Sequence, residues 1–95
     1  MKLNTLVFLP SKDQSVAILK RTKQKNAAMT LVYEDETTIL NCEFDSSDGY
    51  YLCVKVPFPI SGHPKAAARL LIPHASVLMV VQSDWKTPVG FSGGA

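Results

Sequence analysis

Ninety-five residues and 10.4 kDa make one small domain with a single core, expected to span 1–95. With 46% hydrophobic and 19% charged residues, the composition excludes disordered and collagen-like chains. The formal charge of +2 conceals a segregation: residues 1–30 carry Lys2, Lys12, Lys20, Arg21, Lys23 and Lys25 against Asp13 alone, whereas 31–48 carry Glu34, Asp35, Glu36, Glu43, Asp45 and Asp48 with no base. A basic end beside an acidic middle suits an electrostatic ligand site or head-to-tail self-association.

Cys42 and Cys53 are too few for a disulfide scaffold and lack Cys-x-x-Cys spacing, so a reduced, cytoplasmic protein is expected. The first apolar run, Leu6 to Leu9, is closed by Pro10 and the charged Lys12 and Asp13. It is far short of the roughly 18 residues of a membrane span and is no convincing signal peptide.

Ser11-Lys12-Asp13-Gln14 has the Ser-x-x-Gln form of a capping box and predicts a helix over 11–25. Its late Lys20, Arg21, Lys23 and Lys25 complement the negative end of the helix dipole, and Asn26 stops it. The β-branched residues within Ser15 to Leu19 leave a strand as the competing reading. From Met29 the period becomes two, with Asp35-Glu36 as a charged turn. Leu40, Cys42 and Phe44 then share one face, as do Leu52, Val54 and Val56.

Ser47-Asp48-Gly49 predicts a three-residue hairpin loop with a bulge at Gly49. That loop pairs Ser46 with Tyr50, Phe44 with Leu52, Cys42 with Val54 and Leu40 with Val56. In this register Cys53 lies opposite Glu43, on the other face from Cys42, so both thiols stay free. Residues 57–64, with three prolines and a glycine, predict a loop. Strands follow at 68–72 and 76–81, broken by Pro73-His74-Ala75, and 82–95 reads as an irregular tail in which Trp85, Val89 and Phe91 are able to pack back.

A short helix followed by a meander of five strands predicts a mainly β protein: a small, strongly bent, five-stranded antiparallel barrel over 28–81. From 11 to 81 the chain resembles the Sm-like family, including the bacterial Sm-like RNA chaperone. The likeness rests on Leu19-Lys20-Arg21-Thr22-Lys23 at the helix end, the run from Met29 to Leu40, Phe44-Asp45 before the hairpin, and Leu70-Leu71-Ile72-Pro73-His74-Ala75-Ser76-Val77. The resemblance implies that His74 corresponds to a ring-lining histidine and Lys20, Arg21 and Lys23 to a basic rim patch. It departs from the family at Asp35-Glu36, where a glycine is usual, at Pro73, and in the longer 57–64 loop. It departs also at Asp45-Ser46-Ser47-Asp48-Gly49, which does not carry the Asp-x-x-Met-Asn base pocket.

No catalytic constellation emerges. The only nucleophile–base pairs are Cys42 or Cys53 with His63 or His74, and Cys42 falls on the core face. The two histidines lack metal-ligand spacing, and no glycine-rich phosphate loop exists, so neither a metal nor a cofactor is expected. The functional candidates are Lys20, Arg21, Lys23 and Lys25 as phosphate contacts, Tyr50 and Tyr51 as stacking rings, and His74 as a base or phosphate contact. The uncharged final strand, with Val77, Leu78, Met79 and Val80, is the expected interface of a homo-oligomeric ring. A non-catalytic ring that binds RNA or another polyanion is the leading expectation. The competing one is a protein-interaction module on the same barrel.

Overall fold

A computed structural model describes residues 1–83. Six strands and one helix are arranged as β1 (Thr5–Pro10), α1 (Gln14–Lys25), β2 (Thr30–Glu34), β3 (Thr37–Ser47), β4 (Tyr51–Pro57), β5 (Ala67–Pro73) and β6 (Met79–Gln82), with a 3₁₀ turn at His74–Ser76 before β6. The antiparallel sheet follows the path β5-β4-β3-β1-β6, with β2 on β3, and this path is open. The mainly β character matches the expectation; the count of strands and their closure do not.

The additional strand is β1. The run Leu6–Leu9, too short for a membrane, is suited to a buried strand, and Val7 and Leu9 are fully enclosed. β1 lies between β3 and β6, pairing Val7 with both Leu40 and Val80. Short apolar runs carry no period that separates strand from leader or helix, which is why this one is hard to read.

The helix begins three residues later than the capping-box reading. Asp13, extended at φ −68 and ψ 144, is the N-cap, and its Oδ1 accepts the Ser15 N–H at 2.8 Å. Ser11 is engaged elsewhere: its N–H donates to the Glu36 carbonyl and its Oγ lies 2.8 Å from Thr38 Oγ1. The strand alternative at 15–19 is not adopted. Asn26 ends the helix as expected, and it is a buried side chain. Its Nδ2 donates to the Pro57 carbonyl at 2.7 Å and its Oδ1 accepts the Ala28 N–H at 3.2 Å, which satisfies both ends of the amide.

The β3–β4 hairpin corrects the expected register. Glu43 pairs with Lys55, Phe44 with Val54, Ser46 with Cys53 and Ser47 with Leu52. Up to Phe44 the ladder is thus displaced by two residues, an even displacement that keeps side chains on their faces, and past the bulge Ser46 faces Cys53 where Tyr50 was expected, a displacement of three. Leu52, Val54 and Val56 therefore join Leu40 and Cys42 in the core although their partners differ. Phe44, expected there too, is 38% exposed. The bulge falls between Phe44 and Ser46, not at Gly49. The turn closes on the Asp48 N–H to Tyr51 carbonyl bond, and Gly49 does not take positive φ. Positive φ occurs at Asp35 in the β2–β3 turn and at Gly62 in the prolyl loop.

The core gathers Val7, Leu9, Leu31, Leu40, Cys42, Leu52, Val54, Val56 and Ile72 from five strands, closed by Val16 and Leu19 of α1 and by Met29. The expected strand 76–81 begins only at Met79: Ser76 lies in the 3₁₀ turn and Gln82 extends β6. The readings of Trp85, Val89 and Phe91 fall outside the described residues. Both cysteines are free and buried. No helix among the described residues is long and apolar enough to cross a membrane.

Leu9→Ala, in the unexpected strand, lowers stability by about 2–5 kcal/mol in urea unfolding, the range for emptying a leucine-sized core site. Gly49→Ala is tolerated, because nothing lies within 4 Å of the added Cβ and the backbone needs no glycine, whereas Gly62→Ala, at φ +82, costs about 1–2 kcal/mol. A thiol reagent at pH 8 labels both cysteines only after unfolding; burial pushes the Cys42 thiol up to about 12 and raises that of Cys53 as well.

Candidate functional site

The residues singled out by sequence form two separate groups. One is built on α1. Burial of Val16 and Leu19 against the core orients the helix, and Lys20, Arg21 and Lys25 are left exposed, with Lys23 half-buried. Lys23 is part of the scaffold, because its Nζ donates to the Met29 carbonyl at 2.8 Å and fixes the chain between α1 and β2. Lys20 Nζ stands 5.0 Å from the ring centroid of Tyr33, a cation–π contact to a half-exposed residue of β2. Lys20, Lys23, Gln24, Ala27 and Tyr33 line an open cleft of about 500 Å³. Among the described residues the ion pairs are those of Lys55 and Arg69 with Asp45, so no carboxylate neutralises the α1 cluster.

Tyr33 is the residue that sequence reasoning missed. In the run Met29–Glu34 it reads as one more strand position sharing a face with Leu31. In the structure Leu31 is buried and Tyr33 is 50% exposed. The signal that could have found it is its place beside the Asp35 turn, where β2 ends and a side chain is no longer covered.

The second group lies at the tip of the β3–β4 hairpin. Asp48 Oδ1 accepts the backbone N–H groups of both Tyr50 and Tyr51 at 2.7 Å. Those bonds, Tyr51 first, hold the carboxyl below its ordinary value, with His74 adding a smaller favourable charge effect. His74, from the 3₁₀ turn, docks on this tip: its N–H donates to the Tyr50 carbonyl at 2.9 Å and its Nε2 lies 3.0 Å from Ser47 Oγ. Tyr50 is 80% exposed and Tyr51 44%. A smaller cleft of about 270 Å³, lined by Ser47, Leu52, His74, Val77 and Val80, sits here. His74 and the two tyrosines therefore come together, and among the described residues no hydrogen bond, ion pair or ring contact joins them to the α1 cations.

Of the expected interface residues, Val77 packs on the core, while Leu78, Met79 and Val80 are exposed at 60%, 58% and 37%. The inner edge of β6 is used on β1, and the Leu78 N–H donates to the Phe8 carbonyl. At the opposite end of the sheet, β5 has no strand beyond it among the described residues. Beside it runs a groove of about 400 Å³ whose apolar walls are Ile18, Leu19, Leu70, Leu71, Ile72 and Pro73.

No protein-family model matches the chain, and neither the curated proteins nor the solved structures contain a match.

Because the Asp48 carboxyl is depressed in the fold, its hydrogen bonds stabilise the hairpin above the ordinary value of 3.8 and are lost as pH falls through the lower, folded value. Asp48→Ala accordingly lowers Tm at neutral pH and removes part of the acid-side loss of stability, as read in thermal scans between pH 2 and 7.

Proposed function

We propose that this chain is a non-catalytic, self-associating protein that binds RNA or a similar polyanion through α1. The observation that carries the reading is the cluster of Lys20, Arg21, Lys23 and Lys25 within about one and a half helical turns, unpaired with any described carboxylate. Like charges at such spacing repel one another on a helix, and a polyanion converts that repulsion into attraction. The order of elements from α1 onward supports the Sm-like resemblance: a helix, a four-strand meander, a 3₁₀ turn at His74–Ser76 and a short last strand. Strand β1, interposed between β3 and β6, is the departure from it.

Self-association is supported by the two ends of the sheet. Exposed Leu78, Met79 and Val80 lie at the β6 end, exposed Leu71 with Ile18 at the β5 end. Two different edges that meet head to tail form a ring when the rotation closes. A second reading, a protein-interaction module, is favoured by the same α1–β5 groove, because an extended peptide added to β5 would lay its side chains there.

Anisotropy titration of a labelled unstructured RNA at several salt concentrations tests the first reading. Replacing Lys20, Arg21 and Lys25 by Gln, with Lys23 kept for its bond to Met29, weakens binding and makes the salt slope shallower by about 0.7 for each phosphate no longer neutralised. Unchanged affinity and slope would transfer the case to the interaction module, whose partner binding is insensitive to salt. For assembly, light scattering on the native protein gives a particle of several chains, and Leu78→Lys, at an exposed position, reduces its mass without unfolding it. A native particle of one chain removes self-association.

A further inference from the structure

The cleft between α1 and β2 contains more than charge. Phosphate groups alone need only the ammonium and guanidinium groups of the helix, yet the cleft is lined also by Tyr33, whose ring carries the Lys20 ammonium over it, by Ala27 as a small side chain that leaves room and by Gln24 as an amide able both to donate and to accept. We propose that this cleft is a nucleotide subsite: the base of an unpaired nucleotide stacks on Tyr33 with its edge toward Gln24, and the adjoining phosphate lies between Lys20 and Lys23. The inference rests on the polyanion reading and narrows it, because a stacking site selects single-stranded nucleic acid over other polyanions.

Four features of the site fit that ligand. At about 500 Å³ and open to solvent, the cleft has the size of small-molecule sites without the closure that would exclude a polymer. Tyr33 stands at the end of an outer strand and is half exposed, so a ring face is obtainable without unfolding anything. The cation now over that ring, Lys20, is itself exposed and attached by a flexible stem; a base is able to displace it from the ring toward the phosphate that accompanies the base. Lys23 is different. Its ammonium is held at the cleft by the Met29 carbonyl and retains two further N–H donors, which makes it a fixed anchor beside a mobile one.

The hairpin tip is the rival stacking site, and its geometry is less suited. Tyr50 is more exposed than Tyr33, but no cation is in contact with it, and the acidic Asp48 is bonded to the backbone of both tyrosines. A phosphate brought there meets a carboxylate. The cleft at Tyr33 is lined by two ammonium groups and no carboxylate, although the acidic turn Glu34-Asp35-Glu36 follows directly in the chain.

The test compares a ten-nucleotide single-stranded RNA with a strand of the same length and charge whose bases are removed, in anisotropy titrations on the full chain. The intact protein is expected to bind the base-bearing strand about tenfold more tightly than the abasic one. Tyr33→Leu, conservative for an exposed strand residue, abolishes that difference and leaves the salt slope as it was, since stacking releases no counterions. Tyr33→Phe, which keeps the ring and removes the hydroxyl, binds like the native protein, and this rescue separates stacking from damage to the fold. Equal affinity for the two strands, or a Tyr33→Leu protein that retains the difference, overturns the subsite while the polyanion reading stands. Absence of binding to either strand at low salt overturns both. A Tyr50→Leu protein that loses the preference while Tyr33→Leu keeps it would move the stack to the hairpin tip and also overturn the assignment.

Discussion

Every part of the fold is referred to β3. A strand has two edges, and along Thr37–Asn41 this one uses both, pairing β1 on one side and β2 on the other. Past Cys42 it releases those partners and takes β4. The transition is made by the bulge between Phe44 and Ser46, where the extra residue, Asp45, is left out of the ladder and the strand bends. Its carboxylate is held by the Cys53 thiol at 3.4 Å, and Arg69 and Lys55 stand 3.6 Å away. The thiol bond above all, then the charges of Arg69 and Lys55, hold the Asp45 carboxyl below its ordinary value despite an opposing desolvation effect. Exposed ion pairs of this kind add little stability, so their consequence is positional: they register the bulge against β4 and β5. The bend is what brings Leu52, Val54, Val56 and Ile72 of those strands onto the same core as Val7, Leu9 and Leu40.

The faces of the strands are legible in the sequence and their registers are not. Alternation identifies Leu40, Cys42, Leu52, Val54 and Val56 as inward, and a displacement of two before the bulge leaves that identification intact, whereas Phe44 is left 38% exposed and Cys53, read on the other face, is buried. What it cannot reveal is where one strand gains a residue over its partner. Asp48-Gly49 resembles a bulged hairpin loop, yet Asp48 closes a shorter turn by accepting two backbone N–H groups with one carboxylate oxygen. The N-cap is ambiguous for a related reason. Ser11 and Asp13 are both capping residues, and Ser11 is drawn away from the helix by Thr38, a residue 27 positions distant. Asn26, by contrast, ends the helix through local geometry and is readable.

The same division applies to the candidate site. A run of lysine and arginine on a helix is visible in sequence because charge needs no partner to be recognised. Tyr33 is concealed because its neighbourhood is tertiary: nothing in Met29–Glu34 indicates that α1 crosses close enough to set Lys20 over the ring. His74 is visible as a motif residue, but its bonds to Ser47 and Tyr50 make it the fastening between the 3₁₀ turn and the hairpin tip.

How the helix is secured bears on why its charges are available. Of the four cations Lys23 is hydrogen-bonded to the Met29 carbonyl and Lys20 rests over the Tyr33 ring. The remaining anchorage is uncharged or acidic: Val16 and Leu19 in the core, Asp13 at the N-terminal cap, Ser15 Oγ on Ser76 Oγ, and the buried Asn26 amide on Pro57 at the other end. Lys20, Arg21 and Lys25 thus contribute no ion pair and no described hydrogen bond to the folded state, and their mutual repulsion opposes it. The favourable effect of Lys23 and Lys25 on the helix dipole in the last turn is small and is screened by salt. A helix pinned at both ends by other groups carries such a cluster at little risk to its own position. The helix that presents them to an anion is therefore preorganised, and apart from the contact of Lys20 with the Tyr33 ring the cations do not have to be withdrawn from structural contacts in order to bind it.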